Sequence, residues 1–130
     1  MNTTPFNHKT LLIIHISFAV LWIYQGLIPK LIFQADDELR IWILQGFSQQ
    51  TALSLMQCSG AIEIIFGVLF LTGFKPLVLH YFNIVGMMGL SLVVLLVDRH
   101  YFTQAFNPFV MNVAMTALSL AAINLIKHQE

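Results

Sequence analysis

The sequence predicts an all-α fold, an integral membrane antiparallel four-helix bundle with a short amphipathic interfacial helix between helices one and two. Three observations carry this expectation. Over 130 residues the chain is 58% hydrophobic and only 9% charged, where a soluble domain carries about 25% charged residues. Its mean hydropathy is +0.79, more apolar surface than a globule of this length can hide. Four separate apolar runs each approach the roughly 20 residues needed to cross a bilayer.

The first span reads as 11–33, from Leu11 to Phe33, and is uncharged until Lys30. Its last part, "WIYQGLIPKLIF", sets a proline and a lysine at the end of an apolar run. Pro29 forfeits the helical hydrogen bond to the Gln25 carbonyl, so the segment is a kink or a terminus. Gly26 permits close approach and bending there. Lys30 either snorkels to the headgroups or turns inward.

The link "QADDELRIWILQGFSQQ" carries Leu39, Trp42, Ile43 and Phe47 on one helical face. This predicts the interfacial helix at about 37–46, anchored by Trp42. Asp36 or Asp37 is available as its cap, the acids suit the first turn, and Gly46 suits the far end. A re-entrant lid packed over the bundle fits the same pattern.

The second span, 53–74, holds one charge, Glu63. In "GFKP", Gly73 ends a helix and Pro76 opens the next. The third span, 77–97, holds His80 and Asn83. In "DRHYFTQAFNP", Asp98 to His100 read as a solvated turn and Asn107-Pro108 restarts a helix. The fourth span, 106–126, holds Asn107, Asn112 and Asn124. The chain 1–130 thus reads as a single transmembrane domain. An even number of spans puts both termini on one side. Lys and Arg divide evenly between the two sides; the greater number of acids on the far side leaves cytoplasmic termini as the expectation. The N-terminus lacks the basic region and cleavage site of a signal peptide.

Lipid cannot satisfy polar groups, so those inside spans should face protein or a cavity. In "GAIEIIFG", Gly60 and Gly67 share a helix face and Glu63 lies close to it, so the glutamate should enter a helix contact. His15, Trp22, Gly26 and Lys30 form one stripe on the first span. His80, Asn83 and Met87 lie on the third, and Asn112, Thr116 and Ser119 on the fourth. If these stripes face inward, the bundle has a polar interior, with Lys30 the best cation for Glu63. His15 also reads as a hydrogen-bonded interhelical histidine, and Asn83 and Asn112 as interhelical glue. An intramembrane acid such as Glu63 marks function by default. Gly86 and Gly89 in "GMMGL" offer a small-residue surface to a second copy or to a neighbouring helix.

Other chemistry is excluded or weakly supported. Net charge is zero with no basic stripe, so nucleic acid is not a partner. The single cysteine, Cys58, forms no internal pair and reads as a buried structural thiol. The five histidines lack metal-ligand spacing, so no metal site is expected. His15 and His80 are the within-span pair that could hold haem, and their scatter argues against it. No hydrolase triad and no phosphate loop are present.

Three motifs stand in order: "WIYQGLIPK", "GAIEIIFG" and "FNPFVMN", with "DDELR" after the first span. Together they resemble the DoxX-like family of small bacterial membrane proteins, from about Leu11 to Leu125. The matching positions are Trp22, Gly26, Pro29, Lys30, Gly60, Glu63, Gly67, Asn107, Pro108 and Asn112. The resemblance implies a bacterial inner-membrane protein with a redox-linked role near the quinone pool and a redox-complex partner. On that reading Glu63 exchanges a proton, while Lys30 and Asn112 orient a quinone or anionic substrate. The same interior would serve a non-enzymatic binder or carrier of a lipid or small amphiphile, with the amphipathic segment as lid. It would also serve a structural assembly subunit in which Glu63 and Lys30 form a packing ion pair. The candidate ligand-binding set is His15, Trp22, Lys30, Glu63, Asn83, Asn107 and Asn112. Gly26, Pro29, Gly60, Gly67 and Pro108 form the structural motif.

Overall fold

The computed structural model describes residues 5–128, and no strand occurs among them. Helix α1 is Pro5–Gly26 and continues as a π-helical segment, Leu27–Ile32. Helix α2 is Asp36–Leu44, α3 is Gln49–Thr72 and α4 is Pro76–Val97. A 3-10 turn, Arg99–Thr103, precedes α5, Pro108–Lys127. All but α2 and the turn are long and apolar enough to cross a membrane, with spans of 20 to 26 residues. The expected spans shift by a few residues. The first begins before Leu11, the second begins at Gln49, and Phe106 lies outside α5 with its side chain 98% exposed.

Local chemistry sets most helix ends. The Ser48 hydroxyl accepts from the Thr51 N–H at 3.3 Å and starts α3. Gly73, at φ +69°, ends it in the left-handed conformation. Pro76 and Pro108 occupy first-turn positions, where no N–H is needed, and Asn107 Oδ1 caps α5 by accepting from Val110 N–H at 3.3 Å. Helix α2 departs from expectation. Its cap is Ala35 and neither Asp36 nor Asp37 makes a capping bond; both lie in the first turn, where they complement the dipole. Gly46, at φ +95°, closes α2 as expected.

Pro29 neither ends the helix nor breaks it. The backbone widens instead: Phe33 N–H donates to the Ile28 carbonyl at 3.0 Å, five residues back. A π turn is a known way to absorb a missing donor inside a helix.

Polar side chains share the interior with an apolar core that includes Phe18, Met56 and Phe70. The buried set includes Lys30, Glu63, His80, Asn83, Asp98, Asn112 and Ser119, while Val20, Ile62, Phe82 and Val85 stand exposed. Outward apolar and inward polar side chains are what a lipid solvent demands. Together with the span lengths, this describes a multi-pass membrane protein.

Helices α1 and α3 make the closest contact, and α4 and α5 form a second pair. Three glycines set the first approach. A Cβ at Gly60 would stand 2.7 Å from the Gly26 carbonyl oxygen, and one at Gly26 would strike the Gly60 carbonyl. A Cβ at Gly67 would meet Ile23, Trp22 and Ala19 at about 3 Å. Gly86 and Gly89 serve no such internal contact; nothing lies within 4 Å of a Cβ at either.

Two expectations are corrected. Cys58 is exposed rather than buried, because it lies off the Met56–Gly60–Glu63–Gly67 face. Asp98 is no solvated turn residue. It is 8% exposed and accepts a hydrogen bond from Arg40 Nε at 2.9 Å.

Candidate functional site: a polar cavity between the helix pairs

A cavity of about 770 Å³ opens between the two helix pairs, at the end of the bundle that carries α2 and the 99–103 turn. That volume lies within the range of small-molecule sites, roughly 300–1,000 Å³. Helices α1, α3, α4 and α5 form its walls. Helix α2 forms its roof through Asp37, Glu38, Ile41, Trp42 and Gln45. Of the two sequence readings of this segment, the packing fits the lid: Trp42 lines the cavity and packs edge-on to Phe47 with ring centres 6.1 Å apart.

Lys30 turns inward. Its position follows from the π segment, which carries the side chain over the Gly26–Gly60 crossing toward α3. Lys30 Nζ donates to Glu63 Oε1 in a buried ion pair, and lies 3.6 Å from Glu38 Oε2 on the roof. Gln25 Nε2 donates to Glu38 Oε1 at 3.1 Å. Glu63 Oε2 is buried and has no hydrogen-bond partner among the described residues. Unpartnered buried acceptors are rare and call for an explanation.

A second network lies beneath. Trp22 Nε1 donates to Asn83 Oδ1 at 3.0 Å, and Asn83 Nδ2 donates to Ser119 Oγ at 2.9 Å. Ser119 Oγ pairs with His80 Nδ1 at 3.1 Å, and His80 Nε2 with His15 Nε2 at 3.2 Å. The two imidazoles therefore satisfy one another across helices, and at this spacing no metal fits between them, since each metal–nitrogen bond needs about 2 Å. Phe18 and Phe70 stack beside them, 4.9 Å between centres. Asn112 Nδ2 donates to Ser91 Oγ at 2.9 Å, while Thr116 Oγ1 donates to the Asn112 carbonyl at 2.8 Å.

Trp22, Lys30, Glu63, Asn107, Asn112 and Pro108 all line the cavity. His15 and Asn83 do not; they sit in the network behind Trp22. Gly26, Gly60 and Gly67 act at the α1–α3 crossing, with Pro29 in the widened turn next to it. Sequence reasoning missed Gln25, Glu38, Ser59 and Tyr101 as lining groups. Gln25 carried a usable signal, a polar residue inside an apolar run. Glu38 and Tyr101 come from connecting segments whose placement no local pattern reveals. The Tyr101 hydroxyl is pushed up to about 12, first by burial and then by the carboxylates of Glu38, Asp37 and Asp98.

Chemically, the cavity offers apolar walls, the Lys30 ammonium, the carboxylates of Asp37, Glu38 and Glu63, and indole faces. It can seat the ring or head group of a membrane-soluble molecule and exchange a proton with it. Residues 19–120 match the model of the DoxX-like family. No curated protein and no solved structure matches the chain.

Proposed function

The chain belongs to the DoxX-like family, the match covering more than half its length, and on that premise we propose that it is a component of a membrane redox system working near the quinone pool. The observation that carries this reading is the unpartnered Glu63 Oε2 beside Lys30 in a cavity reached from four spanning helices. Lys30 and Asn112 orient the quinone head group, Glu63 exchanges its proton, and Trp22 and Asn107 complete the wall. His15 and Asn83 act from behind by holding Trp22. Electrons pass to or from a partner of the redox complex. The setting is a bacterial inner membrane with cytoplasmic termini, and Gly86 and Gly89 are the face open to a second copy.

The test is direct. Purified protein in a neutral detergent is extracted with solvent and examined for quinone and haem by absorption. It is then titrated with a short-chain quinone, read by quenching of Trp22 and Trp42. Saturable quenching is expected, weakened at least about tenfold by Glu63→Gln, the scale of one hydrogen bond to a charged group. No redox-active ligand, no quenching and unchanged redox physiology in a deletion strain would overturn the proposal.

One observation favours a second reading. The roof formed by α2 suits a non-enzymatic carrier that encloses the head group of a lipid or small amphiphile. Native mass spectrometry decides: a defined lipid that Glu63→Gln abolishes, without any quinone, supports the carrier.

A further inference from the structure

The charges around the cavity do not balance. Among its lining residues Lys30 is the one cation, against the carboxylates of Glu63, Glu38 and Asp37. The nearby guanidinium of Arg40 is committed to Asp98 at 2.9 Å. Lys30 itself is flanked by Glu63 and Glu38, so its charge is already compensated. Inside the cavity an incoming anion would face a surplus of carboxylates, with no uncompensated cation among the lining residues to meet it.

The hydrogen-bond inventory points the same way. An ammonium has three donors and an ionised carboxylate only accepts. Two Lys30 donors face the two glutamates. The Glu63 side chain is nine-tenths buried, yet its Oε2 has no donor among the described residues. The group complementary to Oε2 is an N–H or an O–H. Trp22, Trp42, Tyr101 and Phe106 also line the cavity, and aromatic faces attract cations and disfavour anions.

We propose that the cavity selects amphiphiles with a neutral or positively charged, hydrogen-bond-donating head group and rejects anionic ones, with Glu63 as the specificity-determining residue. This rests on the reading of the cavity as a head-group site, and narrows it: anionic substrates, which the sequence alone left open, are turned away.

Three probes sharing one decyl chain test it: decylamine, decanol and decanoate. Each is titrated at neutral pH against the full chain in a neutral maltoside detergent, with tryptophan fluorescence as readout. Decylammonium and decanol are expected to bind, and decanoate at least about tenfold more weakly, the scale of one charge-assisted hydrogen bond. Glu63→Gln keeps the side-chain shape and should collapse the difference between decylammonium and decanoate. Glu38→Gln, with melting temperature and elution volume as checks on folding, should narrow it and serves if Glu63→Gln does not fold. Wild-type binding of decanoate as tight as decylammonium overturns the selectivity alone. A spread that survives both substitutions does the same. Failure of all three probes to bind overturns both the selectivity and the head-group site.

Discussion

Lys30→Met isolates the buried ion pair. Methionine keeps the apolar stem of the lysine, so the change removes charge and donors with little change in volume. Lys30 is 7% exposed and Glu63 is 8% exposed, and one Glu63 oxygen already lacks a partner. Removing the ammonium leaves both Glu63 oxygens without one, and Glu38 loses its cation 3.6 Å away. Breaking a buried pair from one side costs about 3–5 kcal/mol, and the full burial here argues for that range rather than the ~1 kcal/mol of a surface pair. The double substitution Lys30→Met with Glu63→Gln removes both charges and should recover most of the loss. Reversible unfolding in mixed micelles, followed by tryptophan fluorescence, measures all three proteins. A Lys30→Met protein within about 0.5 kcal/mol of wild type, the usual span of surface substitutions, refutes the inward lysine. The double substitution also separates roles: a structural pair predicts restored stability with function intact, whereas a binding site predicts restored stability and lost quinone quenching.

Gly26→Ala places a methyl against the Gly60 carbonyl and should cost about 1–3 kcal/mol by forcing α1 and α3 apart; an unchanged melting temperature would count against the close crossing. Arg40→Ala frees Asp98 and unfastens the roof, so hydrogen exchange should rise in α2 while α3 and α5 stay protected; uniform protection would show that the roof is held by other means. Tyr101 ionises only near pH 12. Its folded value is raised, so its contribution to stability is full below its ordinary value of 10.0 and is lost as pH climbs toward about 12. Tyr101→Phe should remove the component of the tyrosinate absorbance that appears near pH 12.

The long apolar runs made the four spans legible, because bilayer thickness and backbone satisfaction leave few alternatives. Glu63, Gly60 and Gly67 were legible too, since a charge and two small residues on one face have a single economical explanation in lipid. The same periodicity places Cys58 off that face, a fact the general burial of cysteines obscured. The direction of Lys30 was not legible: it depends on a π turn, and nothing local tells a widened helix from an ended one. The place of α2 was hidden for a related reason. An amphipathic face that rests on headgroups and one that roofs a protein cavity have the same pattern. Asp98 looked like the first residue of a turn because its partner, Arg40, comes from that roof.

The thread from His15 to Trp22 has a consequence for proton traffic. A relay needs groups that both accept and release a proton, and an indole N–H only donates. The chain His15–His80–Ser119–Asn83–Trp22 therefore ends in an insulator at the cavity wall. It lets the bundle hold two histidines inside its apolar core without wiring them to Glu63. On the proposed function, protons exchanged at Glu63 therefore pass through the end of the cavity that Glu38 roofs.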